Sequence, residues 1–206
     1  MSFSVQSRVV NEIKIVNEYD KNELKEIFDK HDKVLIKGLF PGLGKTTSVL
    51  NYEGHKILFV PPFNKLAQQL RTKGHDSVTL NMLLGFYGEG EQYTQFKAFN
   101  VDAYDCICFD EVMINPPNIL KKIDLFMKQH PTKKYFPTGD VNQLQPINWD
   151  PNNISDKRTY LTSCLDRLFP NQITLKVNKR LKKNKKINFL NYKKIYLTLR
   201  RMLWIR

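Results

Sequence analysis

The sequence predicts an α/β fold with a mostly parallel sheet flanked by helices, on three observations. Short apolar runs recur at Val34-Leu35-Ile36, Ile57-Leu58-Phe59-Val60 and Cys106-Ile107-Cys108-Phe109. Between them lie stretches whose apolar residues repeat at helical spacing, as parallel strands require, since each must be joined to the next by a crossover. The polar and glycine-rich stretches follow the apolar runs instead of interrupting them. In such sheets ligands sit at the carboxyl ends of the strands. No internal repeat is visible.

Residues 1–18 have little periodicity; Val9, Val10, Ile13, Ile15 and Val16 are consistent with an edge strand or a frayed lead-in. Asp20 and Glu23 have the spacing of a capping box ahead of Leu24, Ile27 and Phe28, which predicts a helix of about Lys21–Lys30. A strand Lys33–Lys37 follows, then a glycine loop and a helix ending near Gly54. The strand Ile57–Val60 is stopped by Pro61 and Pro62, and Asn64 is placed to cap a helix whose Leu66, Ala67 and Leu70 share a face. Val78-Thr79-Leu80 reads as a short strand, followed by a loop to about Asn100. Asp105–Phe109 is the next strand. After Pro116 and Pro117, the residues Ile119, Leu120, Ile123, Phe126 and Met127 mark a helix ending near His130. Lys134–Phe136 is a further strand with Thr138-Gly139-Asp140 at its end. Leu161, Cys164, Leu165 and Leu168 predict another helix, and Ile173–Leu175 a last strand.

With 206 residues the chain is long enough to bury a core, and 41% hydrophobic with 26% charged residues is the composition of a globular protein. No apolar run approaches the roughly 18 residues needed to span a bilayer. The N-terminal stretch lacks the charged start and apolar core of a signal peptide, so an intracellular location is expected, with no basis for choosing cytoplasm or nucleus. The three cysteines form no C-x-x-C pair and are expected to be buried thiols in a reducing compartment. The net charge of +13 is uneven: residues 176–206 hold 12 of the 33 basic residues and no acidic one, leaving 21 basic against 20 acidic elsewhere. Such a basic arm is consistent with polyanion contact and equally with a solvated charge run.

Three stretches carry chemistry. Residues 33–47, KVLIKGLFPGLGKTT, give strand, glycine loop and Lys-Thr at a helix start, which is the Walker A arrangement. Glycines let backbone N–H groups turn inward around a phosphate chain, and a helix N-terminus adds positive field. The loop residues Gly42, Leu43, Gly44, Lys45, Thr46 and Thr47 are the candidate nucleotide binders, with Lys45 reaching the β- and γ-phosphates and Thr46 ligating Mg²⁺. One departure stands out: the full pattern asks for glycine at position 39, where this chain has Leu39, and Gly38 falls one place early. Asp110-Glu111, after the strand DCICF, has the Walker B form. Asp110 is the expected metal holder, and Glu111 the expected group to orient or deprotonate an attacking water.

The third stretch, GDVNQLQPI (139–147), resembles motif III of superfamily 1 helicases, G-D-x-x-Q-L-x-P. The resemblance continues in register. PPFNKLAQQL (61–70) looks like their motif Ia, TLNMLLGF (79–86) is similar to the T-x-x-x-L-L-G stretch of RecD-like members, SCLDRL (163–168) resembles the segment after motif III, and LKVNKR (175–180) looks like motif IV. It spans about Lys33 to Arg180. It implies a RecA-like P-loop NTPase domain over 33–180, with 1–32 as a lead-in carrying a short helix. Residues 181–206 are left as a basic, aromatic tail, consistent with a packed helix, a nucleic-acid arm or the remnant of a second lobe.

By the same resemblance, Gln143 senses the γ-phosphate and Arg180 touches it, while Phe63, Asn64, Thr79 and Asn81 fall where the family grips single-stranded nucleic acid. For Phe63 a plain core aromatic, and for Arg180 one cation in a basic run, are the alternative readings. The implied cofactors are ATP and Mg²⁺, and the implied partner is single-stranded DNA, with RNA left open. The chain stops about 26 residues after motif IV, short of motifs V and VI. The expectation is therefore an ATP-binding lobe that hydrolyses slowly and does not unwind alone unless a second chain supplies the other lobe. The competing reading is an inactive P-loop module whose tail binds nucleic acid or a partner.

Overall fold

The computed structural model describes residues 11–16, 21–38, 42–87, 94–95, 99–140 and 157–176. Its elements in chain order are β1 (Asn11–Val16), α1 (Lys21–Lys30), β2 (Val34–Gly38), α2 (Lys45–Leu50), β3 (Ile57–Val60), α3 (Asn64–Thr72), α4 (Leu80–Leu84), β4 (Phe86–Tyr87), β5 (Thr94–Gln95), β6 (Cys106–Phe109), a 3₁₀ turn (Val112–Ile114), α5 (Pro117–Gln129), β7 (Lys134–Tyr135), β8 (Thr138–Asp140), α6 (Lys157–Leu168) and β9 (Asn171–Leu175).

Two parallel sheets form the centre, one in the order β1-β9-β2-β8 and the other β3-β6-β7. They meet along residues 134–140. Lys33 bridges Tyr135, the Phe136 N–H donates to the Ile107 carbonyl (3.0 Å), and the Ile36 N–H donates to the Pro137 carbonyl (2.9 Å). The α/β class with a parallel sheet is thus as the sequence predicts. β1 is an outer strand, parallel to β9 from Asn11↔Asn171 to Val16↔Leu175. The antiparallel β4–β5 pair lies apart from both sheets.

Both sheet faces are covered, which is why β3 and β6 are wholly apolar. Alternation sends successive residues of a strand to opposite sides. Phe59, Cys106, Cys108 and Phe136 face one cluster with Leu24 and Phe28 of α1 and Val49 of α2. Leu58, Val60, Ile107 and Phe109 face another with Leu120, Ile123 and Phe126 of α5 and Leu165 of α6. Phe136 is clamped from outside the sheet: Phe28 stacks on it at 4.3 Å, and Tyr52 meets it edge-on at 5.5 Å. Tyr52 also donates its hydroxyl to Asp29 at 2.7 Å, tying the end of α2 to α1. The three free cysteines are buried, as expected.

Several boundaries differ from the sequence reading. Val78-Thr79-Leu80 is not a strand. Ser77 alone bridges Phe59, and Thr79 caps α4, its hydroxyl accepting the Met82 N–H. A Thr hydroxyl placed to satisfy an otherwise free helix donor outweighs the β-propensity of two residues. Asn64 is not a cap but the first residue of α3; extended Phe63 holds the cap position without a side-chain bond. α2 stops at Leu50, well short of Gly54, and the chain turns through Gly54 at φ 85°. The glycine-strand segment is Val34–Gly38, so Gly38 is the last residue of β2 rather than part of the loop. Asp20, the expected cap of α1, lies outside the described residues. Among those residues, no helix is long and apolar enough to cross a membrane.

Candidate functional site

β2, β8 and β6 run parallel and finish at the same end of the sheets. Gly38 closes β2 in register with Asp140, the last residue of β8. β6 ends at Phe109, and Asp110 follows immediately.

The described residues resume at Gly42. Gly42 and Gly44 have φ of 83° and 85°, the left-handed region that a side chain disfavours. Gly44 holds the cap position of α2, and Lys45 is its first residue. The Leu43 side chain is buried in the cluster under α1 and α2, so it anchors the loop and only its backbone is left for a ligand. Lys45 is buried and lies back over the end of β2. A Cβ on Gly38 would stand 2.9 Å from Leu43 Cδ1 and 3.3 Å from Lys45 Nζ. A side chain at Gly38, one before the place the motif pattern names, would press on Leu43 and Lys45. Leu39 itself lies outside the described residues. Thr47 is exposed, and Ser48 donates its hydroxyl to the Lys45 carbonyl.

Thr46 donates its hydroxyl to Asp110 Oδ1 at 3.1 Å. The same carboxylate oxygen accepts the Thr138 hydroxyl. Asp110 is buried. Glu111, half-buried, turns the chain at φ 54°, ψ 40°, the only residue other than glycine with positive φ among those described. Its N–H points to the Thr138 hydroxyl at 3.4 Å. The turn that follows packs on β8: a Cβ on Gly139 would lie 2.6 Å from Met113 Cγ. Cys108, two residues before Asp110, has its thiol pushed far above the usual range by burial and then by the Asp110 charge, so it is chemically inert.

The structure thus brings together the glycine loop, Lys45, Thr46, Asp110 and Glu111. Gln143 and Arg180 lie outside the described residues. Phe63 and Asn64 lie at the start of α3 and Thr79 and Asn81 at the start of α4, two segments joined by the bond from the Leu80 N–H to the Pro61 carbonyl. Phe63 is 59% exposed, so it is not a core aromatic. Asn64 and Asn81 are exposed as well, while Thr79 is half-buried with its hydroxyl engaged in the α4 cap. Sequence reasoning missed two contributors, Thr138 and Met113. A hydroxyl residue directly before Gly139-Asp140 was the available signal for the first; nothing in spacing or type marks the second.

A hard divalent cation fits the donor set. The Thr46 hydroxyl and Asp110 carboxylate are oxygen ligands, and Mg²⁺ takes one or two protein oxygens and completes its shell with water and phosphate. Among the described residues there is no cluster of three or more His, Cys, Asp or Glu able to hold a metal by itself, so a purely protein cage of the zinc or calcium kind is not formed there.

A parallel sheet with helices on both faces and polar groups gathered at its strand ends is the architecture of a RecA-like domain. Solved helicases share it. The Pif1 helicase from Candida albicans superposes with a TM-score of 0.58 at 15% identity, over 84% of this chain and 42% of that one. Bacteroides Pif1 bound to ssDNA gives 0.53 at 17%, over 81% and 43%. Bacteroides sp Pif1 in complex with ADP-AlF4 gives 0.53 at 19%, again over 81% and 43%. At these identities the likeness establishes the fold, and the chain spans less than half the length of these helicases. No protein-family model matches the sequence, and no curated protein matches it either.

Proposed function

We propose that this chain provides the ATP-binding lobe of a superfamily 1 helicase of the RecD-like, 5′-to-3′ branch, acting on single-stranded DNA. The observation that carries the reading is the meeting of Thr46 with Asp110 at the ends of parallel strands, beside a glycine loop whose lysine lies over β2. A nucleoside triphosphate needs this combination: backbone N–H groups and a cation for the phosphates, and a hydroxyl with a carboxylate for the metal. Thr46 and Asp110 would hold Mg²⁺, which would supply positive charge to offset that of the phosphates. Lys45 binds the terminal phosphates, and Gly42, Leu43, Gly44 and Thr47 supply backbone and hydroxyl donors around them. Glu111 orients or deprotonates the attacking water, Gln143 senses the γ-phosphate, and Arg180 touches it. The Bacteroides complexes with ADP-AlF4 and with ssDNA support both ligand classes by analogy of fold.

Phe63 offers an exposed ring for a base to stack on, and the exposed Asn64 and Asn81 carry amides able to bond bases or backbone. Thr79 contributes by holding the start of α4. Residues 33–180 form the nucleotide-binding domain in this reading, with 1–32 as its lead-in and 181–206 as a basic tail. Strand separation calls for a second lobe, from a partner chain or a further segment. The test is ATP hydrolysis by the purified chain with and without single-stranded DNA. Slow, Mg²⁺-dependent hydrolysis that Glu111→Gln abolishes is the expected result. Robust duplex unwinding by the monomer would refute the single-lobe reading, and absence of any hydrolysis would favour an inactive nucleotide-binding module.

A further inference from the structure

We propose that Thr138 is a positioning residue that sets both acids of the site, through its hydroxyl hydrogen on Asp110 and its oxygen lone pair on Glu111. The inference rests on the reading of this site as one for a magnesium nucleotide. Thr138 is fully buried at the start of β8, paired in register with Ile36 of β2. A hydroxyl has one hydrogen to give and lone pairs to receive. Here the hydrogen goes to Asp110 Oδ1, and the oxygen faces the Glu111 N–H at 3.4 Å. Asp110 Oδ1 is therefore tied from two sides, by Thr46 from the glycine loop and by Thr138 from the neighbouring strand.

The second bond matters because of the backbone it meets. Glu111 is held at φ 54°, a conformation that costs energy in any residue with a Cβ and persists only where its surroundings enforce it. The Thr138 oxygen gives that peptide N–H an acceptor, and Met113, two residues on, is seated against Gly139 on the same strand. The turn bearing Glu111 is thus referenced to β8 at two points. Valine has nearly the shape of threonine and can make neither bond; serine keeps the hydroxyl and loses only a methyl group. A threonine buried merely for packing would show the opposite preference.

The experiment titrates a fluorescent ADP analogue into wild type, Thr138→Val and Thr138→Ser, each with Mg²⁺ and with EDTA, and records the melting temperature of each free protein. Wild type and Thr138→Ser should bind more tightly with Mg²⁺ than with EDTA. Thr138→Val should lose about tenfold of that Mg²⁺-dependent gain, as expected for one hydrogen bond to a charged group, while matching wild type in EDTA. If Thr138→Val keeps the full gain, Thr138 does not position the acids, although the nucleotide site stands. A wild type without any Mg²⁺ gain overturns both. Should the valine protein not fold, the serine variant decides: a lost Mg²⁺ gain despite the retained hydroxyl contradicts the proposal, and a retained gain with a lowered melting temperature supports it.

Discussion

The Thr46 hydroxyl and the Asp110 carboxylate, 64 residues apart in sequence, sit 3.1 Å from each other. One lies in the first turn of α2, the other directly follows β6, and only the parallel arrangement of the strands between them makes the contact. If the pair holds a metal, the two side chains act as a unit. Thr46→Ala and Asp110→Asn should each remove most of the Mg²⁺ dependence of nucleotide binding, and the double variant should lose little more. A double-mutant cycle by titration calorimetry should give a coupling of about 0.5–3 kcal/mol, the range for residues in contact. Strict additivity would separate the two residues functionally.

Gly38→Ala should injure both stability and binding. Its Cβ would lie 2.9 Å from Leu43 Cδ1 and 3.1 Å from Lys45 Cδ. Leu43 is buried and has little room to retreat, so the cost falls in the range of about 1–3 kcal/mol for overpacking. Lys45 has to shift as well, which should weaken nucleotide binding beyond what the lost stability explains. Urea unfolding and nucleotide titration on the same variant measure the two effects. Unchanged affinity in a destabilised variant would leave Gly38 with a packing role only.

The buried thiols predict a particular alkaline sensitivity. Burial, with help from Asp105, pushes Cys106 up to about 12, and burial with Asp110 pushes Cys108 far above the usual range. A raised folded-state pKa gives stability that is complete below the unfolded value, about 8.5, and is lost as pH climbs toward the folded value. From pH 8.5 upward the unfolded chain releases protons that the folded chain keeps. Each thiol then adds a slope approaching about 1.4 kcal/mol per pH unit against folding. Unfolding free energies between pH 8 and 9.5 should fall in this way, and Cys106→Ala should flatten the curve by one thiol's share. An identical slope in the variant would contradict the assignment.

Much of this arrangement was legible in the chain itself. α1 and α5 announce themselves by periodicity and by the prolines before α5, and the runs behind β3 and β6 are too apolar to be anything but buried. The meeting of Thr46 with Asp110 follows what the sequence led one to expect, because a site of the proposed kind would constrain residue type and spacing together. What was not legible depends on contacts between distant segments. Thr79 looks like a strand residue until Met82 presents an N–H to it. Gly38 looks misplaced by one until Lys45 is seen lying over it. Thr138 is marked in the sequence only as a hydroxyl residue before Gly139-Asp140; its significance comes from β8 running beside the turn after β6.

The central claim is that Lys45, Thr46 and Asp110 together hold a magnesium nucleoside triphosphate. The most direct measurement is the affinity of the intact chain for Mg·ATP against that of Lys45→Ala, with folding of both checked by circular dichroism. A weakening of about 10- to 150-fold is expected, the worth of about 1.5–3 kcal/mol for hydrogen bonds to a charged group. Equal affinities in two folded proteins would contradict the claim.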